Sequence, residues 1–214
     1  MPELDHLIFA SPDLDQGVAY IESLTGVRAA PGGPHPGVGS HNALLTFDDV
    51  TYFEVIAIDP GQPTPQNPRP FGLDDGLGPR LAGYAIHPST GETAEQLVAL
   101  MASLGHDTGG LASMSRVKPD GEEISWRLTH GDVASRAGGF LPFIIEWGDT
   151  PTPARSQPKM GDLEAFRVQH PDAELRAVIE GLGLPIEVSE GEPLLTAVVN
   201  TPRGTVEISS AGIG

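Results

Sequence analysis

The feature that most constrains this chain is a pattern that recurs along it: a short apolar run, an X-Pro step, then apolar residues at helical spacing. In the first copy residues 4–10 form an apolar run interrupted by Asp5 and His6, and Ser11-Pro12-Asp13 supplies a capping hydroxyl and a proline where a helix begins. Leu14, Val18, Ile21 and Leu24 then follow the helical period up to Gly26, a residue suited to a left-handed cap. A Gly/Pro-rich loop over residues 31–39 precedes two predicted strands, 42–47 and 51–58, which turn at Asp48-Asp49. The second copy restarts at residues 81–86, passes His87-Pro88-Ser89 and places Leu97, Val98, Met101 and Leu104 on a helix before Gly105. Its hairpin turns at Lys118-Pro119-Asp120-Gly121, and its last strand is expected over 141–147. A shorter third copy runs from residues 163–168 through His170-Pro171-Asp172 to a helix bearing Leu175, Val178, Ile179 and Leu182, with strands at 194–200 and 204–209.

Aligning the copies on the X-Pro step sets His6 opposite Ala82 and Ala165, and Asp13 opposite Ser89 and Asp172. The last strand of each copy carries one carboxylate: Glu54, Glu146 and Glu207. The expected fold class is α+β, with repeated βαβ-type half-modules that carry extra strands. Half-modules at about 1–60 and 80–149, joined by a Pro/Gly-rich loop, form a paired domain over 1–149. Residues 150–161 are a linker, and 162–214 are a third, shorter unit.

Charge narrows the partners. With 29 acidic and 12 basic side chains the net charge is −17, and no Lys/Arg run could release counterions from a nucleic acid or engage an anionic membrane. The apolar runs 53–58 and 141–147 are far shorter than the roughly 20 residues of a membrane helix, and no basic-then-apolar leader opens the chain, so cytoplasmic residence is expected. The absence of cysteine leaves His and carboxylate as the available metal ligands.

Several side chains could carry chemistry. Glu54 and Glu146 sit within apolar strands, where a carboxylate needs an ion pair, a proton or a metal. A strand end facing water, or an arginine nearby, explains either equally well. Glu207, beside Thr205 and Ser209, reads as a solvated position. His6 shares a strand face with Leu4 and Ile8; alone it is a hydrogen-bonded core group, and with Glu54 it begins a hard-metal site. His35, His41 and Asn42 border the glycine-rich loop, either as ligand contacts or as solvated loop residues. Arg116 and Trp126, with Arg127, lie on facing hairpin strands and could hold a carboxylate or planar ligand, or merely pair across the strands. No P-loop, Gly-x-Ser-x-Gly or His-Glu-x-x-His pattern is present.

Taken together, Leu4-Asp5-His6-Leu7-Ile8-Phe9-Ala10 and Tyr52-Phe53-Glu54-Val55-Ile56-Ala57 resemble the first and fourth strands of the vicinal oxygen chelate superfamily. The segments around His35-Pro36-Gly37, Trp126 and Leu141-Pro142-Phe143-Ile144-Ile145-Glu146-Trp147 are similar to its glyoxalase-like branch. The resemblance implies paired βαβββ modules whose curved mixed sheets enclose a cleft, with helices outside. It also implies a divalent ion (Zn, Ni, Mn, Mg or Fe) held by His6, Glu54 and Glu146, where the fourth-ligand strand offers only Ala82-Gly83-Tyr84. Lyase or isomerase chemistry on a small carbonyl or vicinal-oxygen substrate follows, with Glu146 or His41 moving a proton and His35, Asn42, Arg116 and Trp126 binding substrate; dioxygenation is a further member activity. The alternative is a metal-free sequestering protein that uses Tyr84, Trp126, Phe140 and Phe143 in the same cleft. The unpaired third unit would cover the cleft or pair with a second copy in a homodimer.

Overall fold

A computed structural model describes residues 1–117, 121, 123–129 and 138–212. The turn expected at Lys118-Pro119-Asp120 lies outside them. The first module comprises β1 (Glu3–Ser11), α1 (Leu14–Thr25), β2 (Ala30–His35), β3 (Ser40–Thr46) and β4 (Tyr52–Ile58). Asp13 caps α1 by accepting from the Gln16 N–H, and Gly26 closes the helix in the left-handed conformation at φ 78°. The second module repeats the plan with β5 (Arg80–His87), α2 (Ala94–Ser103), β6 (Leu111–Val117), β7 (Glu123–Thr129) and β8 (Phe143–Glu146).

These strands form one eight-stranded sheet in the order β2-β3-β4-β1-β5-β8-β7-β6. Within each module the first strand runs parallel to the last, β1 with β4 and β5 with β8, and the modules join where β1 pairs antiparallel with β5. The result is the mixed, curved α+β architecture that the repeat implied. Residues 30–35, part of the glycine- and proline-rich stretch read as a loop, are instead an edge strand. Pro31 and Pro34 are tolerated there because an edge strand leaves half of its N–H positions unpaired.

The third segment supplies β9 (Asp162–Gln169), α3 (Ala173–Gly181), β10 (Glu187–Ser189), β11 (Leu194–Thr201) and β12 (Gly204–Ser209). It has the same succession of elements, yet its four-stranded sheet is ordered β10-β9-β11-β12, with the first strand parallel to the second instead of the fourth. This sheet packs on the helix-bearing side of the large sheet, against β5 and α1. The Tyr84 and Phe166 rings meet edge to face at 4.9 Å. One core cluster therefore joins Leu7, Phe53 and Tyr84 of the paired modules to Val18 and Met101 of the helices and to Phe166, Leu195 and Val199 of the third unit. The third unit braces the sheet from behind and leaves the cleft on the other face open.

Candidate functional site

The concave face encloses a cavity of ≈ 710 Å³. Its polar end is built from alternate residues of neighbouring strands: His6 on β1, Tyr52 and Glu54 on β4, Ser40 and Asn42 on β3, and His35 at the end of β2. Much of its remaining wall is apolar: Met114, Trp126, Leu128, Phe143, Ile145 and Trp147 come from the second module, together with Ser113, Arg116 and Thr129. Pro65, Pro68 and Phe71, from the Pro/Gly-rich connection between modules, also line it.

His6 Nδ1 lies 2.5 Å from Asp5 Oδ1, and its Nε2 faces Glu54 Oε2 at 3.5 Å. The second Asp5 oxygen accepts from Trp147 Nε1 at 3.1 Å. Asp5, His6 and Glu54 are 1%, 2% and 7% exposed, so this is a buried charged chain of the first module, tied to the second by the Trp147 indole. Burial opposes charge on His6, but hydrogen bonds to Asp5 and Glu54 outweigh it and raise the imidazole from 6.5 to about 9. Burial likewise works against the Glu54 carboxylate, and the His6 hydrogen bond together with the His35, His6 and Asn42 contributions overcomes it, lowering the group to about 2. At neutral pH the resting pair is imidazolium and carboxylate. The Tyr52 ring stacks on His6 at 4.4 Å, and burial plus the Asp5 and Glu54 charges push its phenol upward.

Asn42 Nδ2 donates to Glu54 Oε1 at 2.6 Å and lies 3.2 Å from His35 Nε2, while His35 Nδ1 is 2.9 Å from Ser40 Oγ. Burial drives the His35 pKa down, so its ring is neutral beside the charged pair. An accepting Nε2 then fixes the proton on Nδ1, toward Ser40.

Arg116 reaches the cavity from β6, at the opposite edge of the sheet from β2. A Cβ placed on Gly33 would stand 2.6 Å from Arg116 Nη1, and one on Gly32 would stand 2.0 Å from Asn42 Oδ1. The curvature brings the two sheet edges together, and the missing side chains of β2 make room for both polar groups.

Of the residues singled out in the sequence, His6, Glu54, His35, Asn42, Arg116 and Trp126 meet in this cavity. Glu146 does not. Along β8, Phe143 and Ile145 face the cavity, so Ile144 and Glu146 face the helices. Glu146 Oε1 accepts from the Ala94 N–H at the start of α2 at 3.0 Å, and Oε2 accepts from Arg127 Nε at 2.8 Å. It is a helix cap and ion-pair partner. His41 alternates with the cavity-facing Ser40 and Asn42 and also points away. Tyr84 and Phe140 belong to the main core, where the Tyr84 hydroxyl donates to the Phe140 carbonyl at 3.1 Å.

Asp5 and Trp147 went unsingled. Strict alternation would turn Asp5 away from His6, but the β1–β5 register shifts between Leu4 and His6, and the irregularity places both side chains in one network. The usable signal was an acidic residue next to a histidine inside an apolar strand.

The donor set does not fit a resident divalent ion. Opposite His6, strand β5 presents Ala82 and Ala85, β8 presents Ile145, and among the described residues no three His, Asp or Glu side chains are grouped to hold a metal. The His6, Glu54 and Glu146 triad suggested by the strands is not assembled.

The curved sheet and its one-sided polar cleft define a fold of the vicinal oxygen chelate type. A family model described as a glyoxalase-like domain matches residues 4–182, and the chain belongs to that family. No curated protein matches it in sequence. Among solved structures it is similar to a hypothetical protein from Staphylococcus aureus, at 14% identity and a TM-score of 0.60 over 90% of this chain and 88% of that one. It is also similar to methylmalonyl-CoA epimerase from Mycobacterium tuberculosis, at 19% identity and 0.43, over 68% and 87% of the two chains. A Streptomyces coelicolor methylmalonyl-CoA epimerase variant in complex with 2-nitronate-propionyl-CoA matches at 16% and 0.43, over 70% and 97%. Among the described residues no helix is long and apolar enough to cross a membrane.

Proposed function

We propose that the protein binds a small carbonyl compound with an aromatic or apolar body and moves a proton at the carbon beside the carbonyl, as an isomerase or lyase. The observation that carries this reading is the buried pair of His6 Nε2 and Glu54 Oε2 at the polar end of an otherwise mostly apolar cavity. Asp5 and Trp147 hold His6 from behind, which leaves Nε2–H directed into the cleft. Donated to a substrate carbonyl, this N–H stabilises the enolate oxygen that develops as the α C–H bond breaks and its proton passes to Glu54, which returns it to the enolate. With the N–H so engaged, Glu54 loses the contact that most depresses its pKa, and burial raises its basicity at the moment it must accept the α-proton. Asn42 holds the carboxylate in position by donating to Oε1, and the same amide lies against His35 Nε2. His35, Asn42, Arg116 and Trp126 contact substrate in this scheme. The chemistry is carried by side chains, and no step passes through a metal.

The test is α-proton exchange in deuterated buffer, followed by proton NMR over 2-oxo acids, hydroxyketones and acyl thioesters. Glu54→Gln should lower exchange at least about a hundredfold, as expected for loss of a general base. Absence of exchange with every compound in the wild type would sink the reading. The aromatic wall of Trp126, Trp147 and Phe143 favours a second reading, sequestration without turnover, which tight binding of an unaltered compound would support.

A further inference from the structure

Among the described residues lining the cavity, Arg116 is the only Lys or Arg. Its guanidinium sits against Gly33, with Nη1 2.6 Å from where a Cβ would stand, so the bare backbone of β2 leaves it room at the cavity. The cavity carboxylate, Glu54, attracts Arg116 by its charge, but its oxygens are directed at other groups: one accepts from Asn42 at 2.6 Å and the other faces His6 at 3.5 Å. The neutral ring of His35 brings no competing charge. The neighbouring walls are Met114, Trp126, Leu128 and Phe143, surroundings in which a planar fork gains most from a planar anion.

We infer that the ligand is a free monocarboxylic acid, its carboxylate held by the Arg116 guanidinium and its aromatic or apolar body lying against Trp126 and Phe143. This rests on the proposed function for the reaction but not for the binding. Polyphosphorylated ligands such as a CoA thioester fit poorly: the chain carries a net charge of −17, and no lysine is found among the described lining residues. A volume of ≈ 710 Å³ suits one or two fused rings with a short acid arm.

The experiment uses 2-naphthoate and its neutral isostere 2-naphthamide, with quenching of intrinsic fluorescence as the readout, because the chain's 2 tryptophans, Trp126 and Trp147, both line the cavity. Wild type should bind the acid at least about tenfold more tightly than the amide, the value of one charge-assisted pair. Arg116→Met should erase that preference by weakening the acid far more than the amide, and Arg116→Lys, which keeps charge but loses the fork, should fall between them. Retained amide binding and an unchanged circular dichroism spectrum show that the variants are folded. Equal affinity for acid and amide, binding of neither, or a preference that survives Arg116→Met would overturn the inference. The exchange assay separates the two claims: a wild type that prefers the acid yet exchanges no α-proton leaves Arg116 in its role and removes the catalytic one.

Discussion

The two halves of the concave wall share a strand plan and differ in what they present. In the first module β1 and β4 offer His6 and Glu54; in the second, the equivalent strands β5 and β8 offer Ala82, Ala85 and Ile145. Their backbones correspond through the repeated parallel pairings β1–β4 and β5–β8. Duplication of a scaffold thus does not duplicate its chemistry. On these equivalent strands the second half presents packing side chains and the first presents ionisable groups, so a charged pair stands beside an apolar stretch of wall.

The comparison can be broken most severely from the charged side. Glu54→Ala leaves the His6 imidazolium buried without its facing carboxylate and should cost on the order of 3 kcal/mol in urea unfolding at neutral pH. Replacing Asp5, His6 and Glu54 together by Leu, Ala and Ile removes every charge of the network and should be milder than Glu54→Ala alone. In the other direction, Ile145→Glu puts an unpaired carboxylate into the apolar wall and should cost about 2 kcal/mol, measured the same way.

Stability against pH sharpens the contrast further. His6, raised from 6.5 to about 9, stabilises fully below its ordinary value, and that contribution disappears as pH rises through 9. Glu54, lowered from 4.5 to about 2, stabilises fully above 4.5 and loses the contribution as pH falls through 2. Chemical denaturation should therefore show its plateau between 4.5 and 6.5, and the alkaline decline should vanish in the Asp5→Leu, His6→Ala, Glu54→Ile triple variant. The smallest effect is expected at Glu146, the second module's own carboxylate. Glu146→Gln should lower Tm by about 3 °C through weakened capping of α2, with ligand binding unchanged in the fluorescence titration.

Much of the scaffold could be read from local patterns. The X-Pro steps and helical spacing located α1, α2 and α3, because capping and periodicity are decided within one or two turns. His6 and Glu54 were legible as ionisable residues in apolar strands. Glu146 looked the same and fails for a reason one strand cannot reveal: a single-residue difference in which side chains face the cavity sends it to the helices. Asp5 was hidden by a register shift, and the glycine-rich edge strand β2 by composition that reads as a turn. Likewise, the third unit's different strand order depends on pairings between segments distant in sequence.

The main core, shared by α1, α2, the third unit and the back of the large sheet, includes none of the side chains that wall the cavity. Rigidity and ligand choice are therefore written on opposite surfaces of the same strands. A lineage of such proteins can exchange one small molecule for another by altering inward-facing positions, while the buttress that keeps those positions in register stays untouched.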